Sequence, residues 1–188
     1  DPALTILPCA MKVGHSNRYE RNVEVLRGLE SKIDGLNLHL YAQSEGWPTW
    51  RRSFPEDPSI AYLRDLRAMR EWRDRRMPGK PVWVTEFGWD ASSKPAPKEG
   101  EWAKWVGNSE VEQARYIVRS FLLFAREGVH RASLYWFDDQ DQPQMHGSSG
   151  LTRNGVPKPA YYAVRGLFKE LGDYRFDRVV TEKPGEEY

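Results

Sequence analysis

Two rhythms of apolar and polar positions alternate along this chain. Short runs of strand character recur at Leu4 to Ala10, Gly35 to Ala42, Pro81 to Phe87 and Ala132 to Phe137, and each precedes a stretch with helical spacing. Four strand-then-helix units in succession predict an α/β fold around a parallel sheet. In the first run Pro8 lacks an N–H for the ladder, which suits a strand end or a bulge.

The expected helices carry their own punctuation. The first, Arg18 to Lys32, takes Ser16 or Asn17 as N-cap, sets Val25, Leu26 and Leu29 at helical spacing and ends at Asp34-Gly35. The second begins behind Pro58 with Ser59 as cap, turns Ile60, Leu63, Leu66 and Met69 to one side and stops at Pro78-Gly79. In the third, Ser109 and Glu112 have capping-box spacing. Its apolar stripe is Val111, Ala114, Val118, Leu122 and Ala125, with Gly128 as the C-terminal stop. The fourth follows Pro159 through Val164, Leu167, Phe168 and Leu171 to Gly172. Residues 1–172 therefore read as four βα units and 173–188 as a charged tail.

Connections leaving the strands, Gln43 to Pro58, Asp90 to Asn108 and Asp138 to Pro157, are long, while those entering strands are short. In (β/α) barrels the face at the strand C-termini carries the active site, so loop length marks that face. At 188 residues the chain is shorter than the roughly 250 of a complete (β/α)8 barrel. It begins at Asp1-Pro2 without an initiator Met or signal peptide, so its N-terminus is expected to be a cut or processed end.

Charge and cysteine content narrow the partners. With 28 basic against 27 acidic residues the formal net charge is +1, so no sequence-wide field draws in nucleic acid or an anionic membrane. No apolar run approaches the ~20 residues of a membrane span. The single Cys9 cannot form an internal disulfide and leaves the compartment open. Eight Trp, nine Tyr and seven Phe supply rings that serve equally as core and as platforms for sugar faces.

The main chemical candidate is Glu86, near the end of Lys80-Pro-Val-Trp-Val-Thr-Glu-Phe-Gly-Trp89. Strict alternation gives it the parity of Val82 and Val84, with its carboxylate at the mouth of the sheet. Cleaving a glycosidic bond takes one carboxylate to attack the anomeric carbon and a second carboxyl to protonate the leaving oxygen, and Glu86 fits the first role. The plain alternative is a strand-end Glu paired with an Arg. His39 and Tyr41, of one parity at the end of the preceding strand, would project beside it: a Tyr hydroxyl orients a carboxylate, and His39 binds a sugar hydroxyl or fixes the network. Trp136, ending the last strand, would floor a sugar subsite, with Trp89, Trp47 and Trp50 as loop candidates of the same kind. Asp138, Asp139, Asp141 and His146 raise a metal reading, but their spacing lacks the Asp-x-Asp-x-Asp-Gly order of a calcium loop, and solvated loop charges explain them. Gly14-His15-Ser16-Asn17 is too short for a phosphate loop.

Together these residues resemble the clan A glycoside hydrolases. His39-x-Tyr41 looks like the sixth barrel strand, Trp83-Val-Thr-Glu-Phe-Gly88 like the seventh with its nucleophile, and Tyr135-Trp136-Phe137 like the eighth. Met145-His146-Gly147 and the stretch from Gly150 to Ala163 are similar to family 39, and families 5 and 10 carry looser versions. The resemblance implies the C-terminal half, strands five to eight, of a (β/α)8 barrel and a retaining O-glycoside hydrolase acting on oligo- or polysaccharide. Glu86 is then the nucleophile; His39, Tyr41, Trp136, Trp89, Asp138 and His146 meet the sugar, and no metal or cofactor is needed. A substrate of this class favours a secreted or periplasmic setting.

One departure is plain. The clan places its acid/base Glu after an Asn on the fourth strand; this sequence has no Asn-Glu pair, and neither Glu45 nor Asp138 matches that position. The chain alone is expected to be a poor hydrolase or none. Its partners are a carbohydrate and the N-terminal half of the barrel, from the same enzyme or a separate chain, because four βα units leave two strand edges unpaired. The competing readings are a carbohydrate-binding scaffold without turnover and a metal-dependent barrel hydrolase using His39, Glu86 and Asp138.

Overall fold

A computed structural model of the chain describes residues 4–13, 18–183 and 186–187. Its centre is a parallel four-stranded sheet of β1 (Met11–Val13), β2 (Leu36–Leu40), β3 (Val82–Phe87) and β4 (Arg131–Leu134), in that order. Helices α1 (Arg18–Leu26), α2 (Tyr62–Arg76), α3 (Glu110–Arg126) and α4 (Pro159–Leu171) follow them in turn. Sequential parallel strands with a helix after each are the βα alternation that the sequence predicts.

Strand boundaries move where backbone chemistry overrides apolar content. The first strand is Met11–Val13, not Leu4 to Ala10, with Met11 in register with Leu38. Leu4 and Ile6 are exposed, and the run around Pro8 is tied by Ile6 N–H to Asp34 Oδ2 at 2.7 Å instead of by a ladder. Helix α1 stops at Leu26, because Gly28 turns left-handed at φ +82°. The connection into β2 is therefore longer than expected, and Val25 and Leu29 face solvent. Its expected caps, Ser16 and Asn17, lie outside the described residues. Helix α2 starts at Tyr62, and Ser59 instead closes a turn by donating its N–H to Asp57 Oδ1 at 2.8 Å.

Helix α3 shows how a face can be misread. The Ser109 and Glu112 capping box forms as expected. The buried face, however, is Gln113, Ala114, Ile117, Ser120, Leu123 and Phe124, while Val111 and Leu122 are exposed. Two of the buried positions are polar and held by hydrogen bonds: Gln113 Nε2 donates to Trp89 O at 2.7 Å, and Ser120 Oγ lies 3.2 Å from Tyr62 OH. Apolar periodicity alone rotates the stripe away from them.

One face of the sheet packs on the helices through Leu36, Leu38, Leu40, Val82, Val84 and Phe87, all essentially sealed from water. On the other face Asn37, His39, Trp83, Thr85 and Ser133 are half-buried or exposed. The β4–α4 connection carries a small sheet, β5 (Asp138–Asp139), β6 (Thr152–Arg153) and β7 (Val156–Pro157). A buried ion pair, Lys158 Nζ to Asp139 Oδ2 at 2.8 Å, locks it to the base of α4. Beyond Gly172 the tail is exposed up to Val180, with β8 (Glu182–Lys183) paired to β9 (Glu186–Glu187).

The rotated face of α3 can be tested by truncation. Ile117→Ala should lower unfolding free energy in urea by about 2–5 kcal/mol, and Leu122→Ala by under about 1 kcal/mol. Equal losses would contradict the face described.

Candidate active site

Glu86 reaches the open face of the sheet through a break in register. Leu38 pairs with Val84, but His39 pairs with Glu86, so Thr85 is an extra residue on β3. With that residue inserted, Val82 and Val84 stay in the helix-facing layer while Glu86 turns to the side of His39. Strict alternation, which places Glu86 with Val82 and Val84, is therefore corrected. Thr85 Oγ1 donates to Asn37 Oδ1 and holds the extra residue. Phe87 then returns to the core, edge-on to Phe121 and Phe124.

Two donors converge on one carboxylate oxygen. Tyr41 OH donates to Glu86 Oε2 at 3.0 Å, and His39 Nδ1 lies 3.1 Å from the same atom. Burial depresses the His39 pKa, with Lys12 adding to it and outweighing the pull of Glu86, so His39 is neutral and gives its Nδ1–H as a hydrogen bond. Burial likewise raises the Tyr41 pKa, keeping the phenol protonated as a donor. Oε1 of Glu86 has no protein partner among the described residues.

Beside Tyr41 sits an Arg52 network that sequence reading missed. Arg52 is buried on the connection after β2; its guanidinium lies 4.4 Å from the centre of the Tyr41 ring. Nη1 donates to Gly88 O at 2.8 Å and pairs with Asp90 Oδ2 at 3.2 Å, while Nη2 is 3.4 Å from His146 Nδ1. Asp90 is enclosed, and desolvation pushes its pKa up against the pull of Arg52. Gly88 allows the close approach of the Tyr135 backbone: a Cβ there would meet Tyr135 O at 2.7 Å. Nothing in residue type separates a buried Arg-Asp pair in two loops from surface charges. Asp90 does follow directly on the Lys80–Trp89 motif, whereas Arg52 adjoins none.

The other expected residues divide. His146 joins the site, edge-on to Tyr41 and Tyr135 at 4.8 and 5.3 Å between ring centres. Trp136 stacks on Tyr135 at 4.8 Å and is 42 % exposed, lining an apolar groove of about 260 Å³ with Leu134, Phe137, Leu151 and Phe168. Its peptide bond to Tyr135 is cis. Trp89 must be corrected: it is fully buried against Tyr62 and Tyr116, with Nε1 donating to Ser53 O at 2.7 Å, and offers no face to a sugar. Asp138 is exposed and braces the loop, its Oδ1 accepting from Thr152 Oγ1 at 2.5 Å and Gly155 N–H at 2.9 Å. Among the described residues no three His, Cys, Asp or Glu side chains converge as metal ligands, so His39, Glu86 and Asp138 form no such group. Trp47 is exposed, while Trp50 packs on Trp102.

A parallel βα sheet with polar side chains gathered at the strand C-termini is the layout of (β/α) barrels. In fold the chain is similar to a family 39 glycoside hydrolase from the gut symbiont Bacteroides cellulosilyticus WH2, at TM-score 0.63 and 23% identity, over 86% of this chain and 32% of that one. It is also similar to the family 51 arabinofuranosidase from Xanthomonas axonopodis pv. citri, at TM-score 0.52 and 20% identity, over 84% of this chain and 33% of that one. The chain thus spans about a third of each of these structures. No protein-family profile and no curated protein sequence matches it.

The His146 environment has a measurable consequence. Burial, then the Arg52 and Lys12 charges, lower its pKa from 6.5 to about 3. As pH falls through that window the unfolded chain takes up a proton that the folded chain refuses, so stability drops. Urea midpoints at stepped pH should fall further for the wild type than for His146→Gln; parallel profiles would contradict the burial described.

Proposed function

We propose that this chain carries the nucleophile side of a retaining O-glycoside hydrolase acting on oligo- or polysaccharide, as strands five to eight of a (β/α)8 barrel. The observation behind it is the pair of donors on Glu86 Oε2, which leaves Oε1 as the oxygen with a free lone pair. Oε1 attacks the anomeric carbon, the bond to the leaving oxygen breaks, and a glycosyl ester forms; water then displaces Glu86. Tyr41 and His39 hold the carboxylate plane through both steps. Trp136 and His146 border the same aromatic run and would meet the sugar.

The second carboxyl is expected from outside the chain. Glu45 is engaged by Thr49 and Arg51, and Asp90 is enclosed with Arg52. The open face of the sheet also favours a completing segment, because parallel sheets are covered on both faces and β1 and β4 have unpaired outer edges. We take that segment to be the N-terminal half of the barrel. The missing acid equally favours a second reading, a carbohydrate-binding protein without turnover.

A reagent that needs no acid separates them. Dinitrophenolate leaves unprotonated, and fluorine at C2 slows hydrolysis of the ester, so 2,4-dinitrophenyl 2-deoxy-2-fluoroglycosides test the nucleophile alone. With xylo, gluco and arabino forms, mass spectrometry should find a glycosyl adduct on the Glu86 peptide, absent from Glu86→Gln. Sugar binding with no adduct would favour the binding-protein reading, and an adduct on another carboxylate would overturn the assignment.

A further inference from the structure

The proton position on His146 follows from its neighbour. Arg52 has only N–H groups to offer, so at 3.4 Å from Nη2 the Nδ1 of His146 is the acceptor. A neutral imidazole with an accepting Nδ1 carries its proton on Nε2. His39 is the mirror case, since its Nδ1 faces a carboxylate oxygen and must donate. The two histidines of the site are thus held in opposite tautomers.

Three contacts fix the His146 ring. Tyr41 and Tyr135 meet it edge-on, and Arg52 caps Nδ1. Its Nε2 has no protein partner among the described residues and is absent from the sealed, unpartnered polar atoms. A donor that is oriented, accessible and unused by the protein is available to a bound molecule.

We propose that His146 gives its Nε2–H to a hydroxyl of the sugar bound at Glu86, and that Arg52 is the positioning residue that sets this tautomer. The inference rests on the glycosidase reading and deepens it by naming a specificity contact. The groups facing His146 are Arg52 with its partner Asp90, Tyr41 and Tyr135, with the Lys12 charge acting on it as well and the neutral His39 nearby. Those cations and the burial of the ring disfavour the imidazolium, so the donor stays uncharged over the ordinary pH range. An uncharged, directed N–H selects by the position of a hydroxyl instead of by the charge of the sugar. Arg52 achieves this through its fork, which grips Gly88 O, Asp90 and His146 together; a Lys ammonium has no such span.

The experiment is two-bond 1H–15N correlation spectroscopy on the 15N-histidine-labelled chain between about pH 5 and 8. Signals are assigned with His146→Phe, which keeps a ring between the two tyrosines. His146 should report the Nε2–H tautomer and not titrate. Methyl β-xyloside, methyl β-glucoside and methyl α-arabinofuranoside serve as probes, and the one that binds should move the Nε2–H resonance. His146→Phe should weaken that binding about three- to tenfold, the loss of one neutral hydrogen bond. Arg52→Lys should mix the tautomers and weaken binding similarly. An Nδ1–H tautomer, titration within the range, or unchanged affinity in His146→Phe overturns the donor role while sugar binding itself stands. An unmixed tautomer in Arg52→Lys overturns the role of Arg52. If none of the three glycosides binds, the glycosidase reading fails and this inference falls with it.

Discussion

The site depends on one extra residue. Thr85 interrupts the match between β2 and β3, and that single offset carries Glu86 from the layer that packs on the helices to the face that bears His39. Without it, a carboxylate would replace an apolar side chain between sheet and helices, at a cost of several kcal/mol. The offset is supported from both sides: Thr85 bonds to Asn37 across the strands, and Phe87 drops back among Phe121, Phe124 and Trp89. An irregularity in the ladder is thereby tied down by a regular aromatic core.

Around that carboxylate the long connections act as struts. Arg52 comes from the connection after β2, Asp90 from the one after β3 and His146 from the one after β4, and they meet beside Tyr41. The last of these connections is itself anchored by Lys158 on Asp139, and by Ser92 and Ser93, whose hydroxyls donate to Asp141. Placing His146 thus draws on a buried ion pair and a cluster of charged hydrogen bonds. A loop of this length holds a side chain in position only with such bracing.

Much of this was legible in the sequence, for identifiable reasons. The parity of His39 and Tyr41, the Ser109-Glu112 box and the Pro159 start are local signals, and local signals survive folding. The strand-end position of Glu86 beside His39 and Tyr41 was legible, but not the offset that aims it, because an inserted residue leaves no mark on composition. Gln113 and Ser120 hid the true face of α3, since a buried, hydrogen-bonded polar side chain reads as surface. Trp89 read as a sugar platform and is core, because a Trp near the mouth can turn either way and only the return of Phe87 decides it. Arg52 and Asp90 were illegible as a pair, their contact joining two loops far apart in sequence.

If Glu86 is the nucleophile, as proposed, Oε1 is the oxygen that reacts. A crystal structure of the chain after exposure to a 2-deoxy-2-fluoroglycosyl fluoride tests it most directly. The account predicts a bond from C1 to Oε1, with Tyr41 and His39 still donating to Oε2. A glycosyl group on Oε2, or on any other carboxylate, would contradict it.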